Sequence, residues 1–85
     1  MFALIWMEVA LDALADAFVG ADLPTRDAIE RAVTRLNNRL ASDPTGLGES
    51  RPGRGRRIAF EQPCAISFIV DDAAGTVRVT HFWTY

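Results

Sequence analysis

The chain has 85 residues, 49% of them hydrophobic and 24% charged, a balance that fits one globular domain over residues 1–85 and argues against disorder. A formal net charge of -2 and a pI of about 5.2 exclude a protein that grips nucleic acid over a broad basic surface. One cysteine, Cys64, and one histidine, His81, exclude an internal disulfide and an ordinary metal set, so a cytoplasmic protein without metal or other cofactor is expected.

The opening run FALIWM, residues 2–7, is apolar without helical spacing and has the length of a buried strand. The first twenty residues lack a basic leader and carry Glu8, Asp12 and Asp16 at intervals of four. They therefore read as part of the fold, neither a secretion signal nor a bilayer span. Met7, Leu11, Leu14 and Phe18 follow helical spacing, the three acids form another stripe, and Gly20 is placed as a stop, which predicts a helix over 8–19.

Pro24 and Thr25 signal the entry of a second helix with Ile29, Val33, Leu36 and Leu40 along one side, ending before Ser42-Asp43-Pro44. The short ADLPT connection predicts a helical hairpin. Arg31, Arg35 and Arg39 recur every four residues beside the apolar side. Either the acidic stripe of the first helix faces this arginine stripe, or both are solvated faces whose pairs contribute about 0.5 kcal/mol or less.

After the loop PTGLGESRPGRG the period falls to two. RRIAFE places Ile58 and Phe60 on one side, CAISFIV places Ile66, Phe68 and Val70 on one side, and TVRVTHFW sets Val77 and Val79 opposite Arg78 and Thr80. EQP and DDAAG have turn chemistry, so three antiparallel strands are expected. With the N-terminal strand the order is β-α-α-β-β-β, an α+β fold whose antiparallel-dominated four-stranded sheet carries the helical hairpin on one face.

That order, with DPTGLGESR, GRRIAF and VDDAAGTVRVTHFW after the opening LIWMEVALDAL, resembles the RelE/ParE superfamily of type II toxin–antitoxin toxins over nearly the whole chain. The resemblance implies a growth inhibitor neutralised by a cognate antitoxin, acting by mRNA cleavage in the ribosome as RelE-like toxins do, or on DNA gyrase by protein contact as ParE-like toxins do. For a metal-independent ribonuclease it implies a catalytic set of Arg78 and His81 on the last strand, Glu49 as a base, and Tyr85 near a position where cleaving members carry an acidic or stacking aromatic. Two departures point to weak cleavage or none. The third-strand segment of nuclease members reads Arg, apolar residues and Tyr, where this chain has Cys64 and Ser67 in PCAISF, and the basic surface for ribosomal RNA is thin in a chain without lysine. The sequence stops at FWTY directly after the last strand, so the C-terminal helix or tail of the family is not expected.

Residues 51–57, RPGRGRR, interleave Arg51, Arg54, Arg56 and Arg57 with Pro52, Gly53 and Gly55. Two readings stand: a loop whose guanidinium groups converge on an RNA phosphate or an acidic partner patch, or a solvated entry to a strand with Arg57 paired to Glu61. His81 is either a strand-end packing residue or an acid–base group. Phe82, Trp83 and Tyr85 cannot all be hidden by alternation, which leaves an aromatic surface for an antitoxin segment or for a homodimer across the sheet edge. Besides the toxin reading, the sequence allows a non-catalytic interaction module that keeps the fold, and a small RNA binder without cleavage.

Overall fold

The computed structural model describes residues 1–85. Its elements are β1 (Ala3–Trp6), α1 (Glu8–Val19), α2 (Leu23–Ser42), a 3-10 turn at Pro44–Gly46, β2 (Glu49–Ser50), β3 (Arg56–Glu61), β4 (Cys64–Asp71) and β5 (Thr76–Thr84). The expected α+β class holds, but the sheet has five strands, in the order β1-β5-β4-β3-β2. The additional strand, β2, is two residues long and pairs antiparallel with β3. At that length it has no alternation for sequence reasoning to find. Gly48 makes it possible: the residue has φ 68°, and a Cβ there would collide with the Ile58 carbonyl.

The arginine-rich segment is the tip of the β2–β3 hairpin, closed by Arg51 N–H to the Arg56 carbonyl at 2.8 Å. Gly55, at φ 72°, packs its backbone against β4 and accepts the Val70 N–H, where a side chain would strike the Val70 carbonyl. Strands β3, β4 and β5 form the expected antiparallel meander. β1 adds in parallel to β5 and is an edge strand. The expectation of a buried first strand is corrected accordingly: Leu4 and Trp6 face the helices, while Ile5, on the other side, is 45% exposed. The Trp6 indole N–H donates to Asn37 Oδ1 at 2.8 Å and fastens β1 to α2.

Both helices cover one face of the sheet. α2 begins at an Asp22 cap, whose carboxylate accepts the Thr25 N–H, and buries Ile29, Ala32, Leu36 and Leu40. α1 buries only half of the stripe its large residues predict, Leu14 and Phe18, together with a row of alanines. Ala10 is fully buried and Ala13, Leu14, Ala17 and Phe18 pack against the core, whereas Met7 and Leu11 are 42% and 48% exposed. Alanines let the helix lie close to the sheet, and Met7 and Leu11 are left at the margin. Ile66, Phe68 and Val70 of β4 and Val77, Val79 and Phe82 of β5 complete the core. Each such side chain contributes about 1.5–3 kcal/mol on burial. No polar or charged residue is buried.

The two helices are tied at their junction. Arg26 donates from Nε to the Phe18 carbonyl at 2.8 Å and from Nη2 to the Val19 carbonyl at 3.1 Å, with its guanidinium 5.4 Å from the Phe18 ring centre. The Phe18 carbonyl also accepts the Ala21 N–H at 3.3 Å, and the Val19 carbonyl is one that the end of α1 leaves without a backbone donor. The acidic stripe of α1 makes no ion pair with the arginine stripe of α2. The ion pairs are Arg35 with Glu61 at 3.3 Å and Arg51 with Glu49 at 3.6 Å.

Candidate functional site

The sheet face opposite the helices is open, and its side chains follow from the register. Direct partners across antiparallel strands point to the same side. Arg56, Ile69 and Arg78 form one rung, with Ile5 beside Arg78 on the parallel edge. Glu49, Ile58, Ser67 and His81 form the next, and Phe60, Ala65 and Trp83 the one after. Ile58 and Phe60 share a side, as alternation predicts, but that side is this open face; the residue between them, Ala59, is the buried one.

Arg78 and His81 are three positions apart, a separation that places side chains on opposite faces of a regular strand. The ladder shifts between Ser67 and Phe68: Phe68 pairs with Val79 and Ser67 with His81, leaving Thr80 as an extra residue in β5. In an unbroken ladder His81 would stand opposite Ile66, under the helices. The bulge returns it to the face of Arg78, one rung or about 7 Å along the strand. It also returns Phe82 to the core, where it is 5% exposed.

Around the bulge the hydroxyls of Ser67 and Thr80 lie 2.9 Å apart, Thr80 Oγ1 donates to the Ser67 carbonyl at 3.1 Å, and His81 Nδ1 sits 3.0 Å from Ser67 Oγ and 3.2 Å from Thr80 Oγ1. The imidazole is held through Nδ1, and no protein hydrogen bond engages Nε2. Neither hydroxyl was legible as part of a site, because Ser67 and Thr80 are thirteen residues apart and only the bulge joins them.

The other predicted residues are distributed unequally. Glu49 shares the His81 rung but lies three strands away, about 14 Å at ordinary strand spacing, and its carboxylate pairs with Arg51. Tyr85 is beyond the end of β5, its ring edge-on to Phe60 at 5.6 Å, with Trp83 edge-on to the same ring at 6.3 Å. This aromatic group adjoins His81 rather than Arg78. Arg56 is exposed on the Arg78 rung, two strands away, with its side chain lying against Gly53 of the hairpin tip, and Arg54 lines with Arg78 a cleft of about 670 Å³ that also contains Asp71 and Asp72. Arg57 is on the helix-covered side of β3. Its guanidinium donates to the Leu47 and Gly48 carbonyls at 3.0 and 3.1 Å and to Ser50 Oγ at 3.2 Å, and Glu61 is taken by Arg35. The four arginines therefore do not converge on one point.

Two further features frame the site. Cys64 is fully buried, and burial, with Arg35 opposing and Glu61 adding, pushes its thiol up to about 11. On the far side of the molecule Leu11, Leu14, Phe18, Val19, Ile29 and Val33 floor an apolar groove of about 560 Å³ between α1 and α2. No helix is long and apolar enough to cross a membrane.

No protein-family profile and no curated protein matches the chain. Solved structures do. A chain of the chromosomal ParDE TA system from P. aeruginosa superposes with TM-score 0.75 at 14% identity, covering 99% of this chain and 96% of that one. A chain of the toxin–antitoxin complex RelBE2 from Mycobacterium tuberculosis gives 0.75 at 19% identity, covering 99% and 98%. The chain has the RelE/ParE fold. The intact E. coli RelBE toxin–antitoxin complex supplies a third likeness, with TM-score 0.67 at 16% identity over 100% of this chain and 98% of that one. In this fold the sheet face carrying Arg78 and His81 is the face that the helices leave free.

Proposed function

We propose that this chain is the toxin of a type II toxin–antitoxin pair in the cytoplasm, that it cleaves RNA without a metal on its open sheet face, and that an antitoxin neutralises it. The observation that carries the reading is the bulge at Thr80, which sets His81 on the same face as Arg78, one rung apart. Strand cleavage at a 2′-hydroxyl needs a group to move that proton, a group to protonate the leaving oxygen, and cations around the pentacoordinate phosphate. His81 Nε2 serves the proton transfers. Arg78 and Arg56, both exposed on one rung, hold the phosphate, with Arg54 in reach of the same cleft. Phe60, Trp83 and Tyr85 lie on the side of His81 away from Arg78 and offer ring surface to a neighbouring base.

The antitoxin reading rests on the groove between the helices. Its floor is apolar, Glu30 is part of its wall, and Glu8, Asp12 and Asp16 occupy the adjoining row of α1. A partner helix with an apolar stripe flanked by basic side chains complements it. A second reading, inhibition of DNA gyrase by protein contact, is favoured by one observation: no carboxylate contacts His81, and Glu49, the one on its rung, lies three strands away.

Controlled induction in bacteria tests the proposal. Growth arrest relieved by co-expression of the adjacent small gene is the expected result. Harmless accumulation of folded protein would leave only a non-catalytic module with this fold.

A further inference from the structure

Four contacts meet at the β5 bulge: Thr80 Oγ1 to the Ser67 carbonyl, Thr80 Oγ1 to Ser67 Oγ, and His81 Nδ1 to each of the two hydroxyl oxygens. Each hydroxyl has one proton to donate, and a neutral imidazole has one N–H, on either nitrogen. If Nδ1 carries the lone pair, only the two hydroxyl protons are available for the four contacts. The Ser67 hydroxyl then either points at Nδ1 or at Thr80, and Thr80 must choose between the Ser67 carbonyl and Ser67 Oγ. At least two contacts are left with lone pairs facing each other.

If Nδ1 carries the proton, every contact is satisfied. Thr80 donates to the Ser67 carbonyl, Ser67 donates to Thr80 Oγ1, and Nδ1–H is shared between Ser67 Oγ at 3.0 Å and Thr80 Oγ1 at 3.2 Å. The same arrangement serves the charged ring, which also has Nδ1–H. Proton uptake and release are thereby confined to Nε2, the nitrogen that no protein group engages.

We infer that Ser67 and Thr80 are positioning residues: their paired hydroxyls hold neutral His81 as the Nδ1–H tautomer, with the Nε2 lone pair turned to the open face. The assignment of a role in proton transfer rests on the ribonuclease reading above. The tautomer does not, since it follows from the hydrogen-bond count alone.

The same count gives an unexpected result for Thr80→Val, which keeps the shape of the side chain and never touches Nε2. Only the contact of Ser67 Oγ with Nδ1 then remains, which either tautomer satisfies, so the constraint on the ring is lifted and the share of Nε2–H rises. Nitrogen-15 spectra of the His81 ring, taken at alkaline pH on the folded chain, distinguish the two forms. The expected result is predominant Nδ1–H in the wild type and in Thr80→Ser, and a clearly larger share of Nε2–H in Thr80→Val. Predominant Nε2–H in the wild type would overturn the inference whether or not any variant folds, as would an unchanged ring in a folded Thr80→Val. If RNA cleavage is observed, Thr80→Val loses part of the roughly 100- to 10,000-fold that a positioned acid–base group contributes, and Thr80→Ser restores it. A wild type with the Nδ1–H ring but no cleavage would sink the ribonuclease reading and leave the positioning intact.

Discussion

Single side chains in this fold separate by what their polar atoms already hold. Arg57 belongs to the same run of sequence as Arg54, yet it satisfies two loop carbonyls and a hydroxyl while Arg54 is free at the hairpin tip. Removing it leaves those acceptors to solvent and loosens the 47–50 segment. Arg57→Ala is therefore expected to cost roughly 1–3 kcal/mol in a denaturant titration, and Arg54→Ala to leave the midpoint unchanged. Equal effects would mean that the hairpin does not depend on the Arg57 bonds. Cys64 gives a pH signature of its own. The folded state keeps the thiol proton up to about 11, whereas the ordinary value is 9.0. Its contribution to stability is thus complete below pH 9.0 and is lost as pH rises through the interval to about 11. Thermal melts across that range should show a decline that Cys64→Ala lacks. An identical decline in the variant would place its origin elsewhere.

At the scale of elements, helices were legible where one apolar stripe meets a cap, and β5 was legible only up to its irregularity. The span 8–19 follows from the Met7-to-Phe18 spacing and Gly20, yet only Leu14 and Phe18 of that stripe reach the core, because close approach to the sheet selects Ala10, Ala13 and Ala17 over the larger Met7 and Leu11. Hydrophobic periodicity measures what is greasy, not how near the neighbouring layer lies. The alternation in β3 and β5 was visible, but not which face of β3 the helices cover, nor that Thr80 is an extra residue. A bulge has no composition of its own here; it is a consequence of fitting both Val79 and Phe82 into one core. The junction of α1 and α2 carries a testable load. Arg26→Ala should lower stability by roughly 1–2 kcal/mol through the lost carbonyl bonds at the end of α1, and an unaltered unfolding midpoint would show that water serves those carbonyls equally well. On the groove, Leu14→Glu should weaken antitoxin binding at least tenfold by isothermal calorimetry while Leu14→Met does not. Undiminished binding of folded Leu14→Glu would locate the antitoxin away from this groove.

For the molecule as a whole, the distribution of charge matters more than its sum. Residues 1–50 hold eight acids against four arginines, and residues 51–85 hold five arginines against three acids. The fold turns this asymmetry in sequence into two surfaces: an apolar groove edged by acids among the helices, and an open sheet face with Arg56, Arg78 and His81. A basic partner and a phosphate-bearing one can then be bound on different sides of 85 residues. The account stands or falls on whether the second surface does chemistry. Mapping RNA 5′ ends genome-wide after brief induction compares the wild type with the Arg78→Ala/His81→Ala double variant at equal protein levels. New ends should appear with the wild type and disappear with the double variant, and growth arrest with them; arrest without new ends, or ends that persist in the double variant, would contradict cleavage at this site.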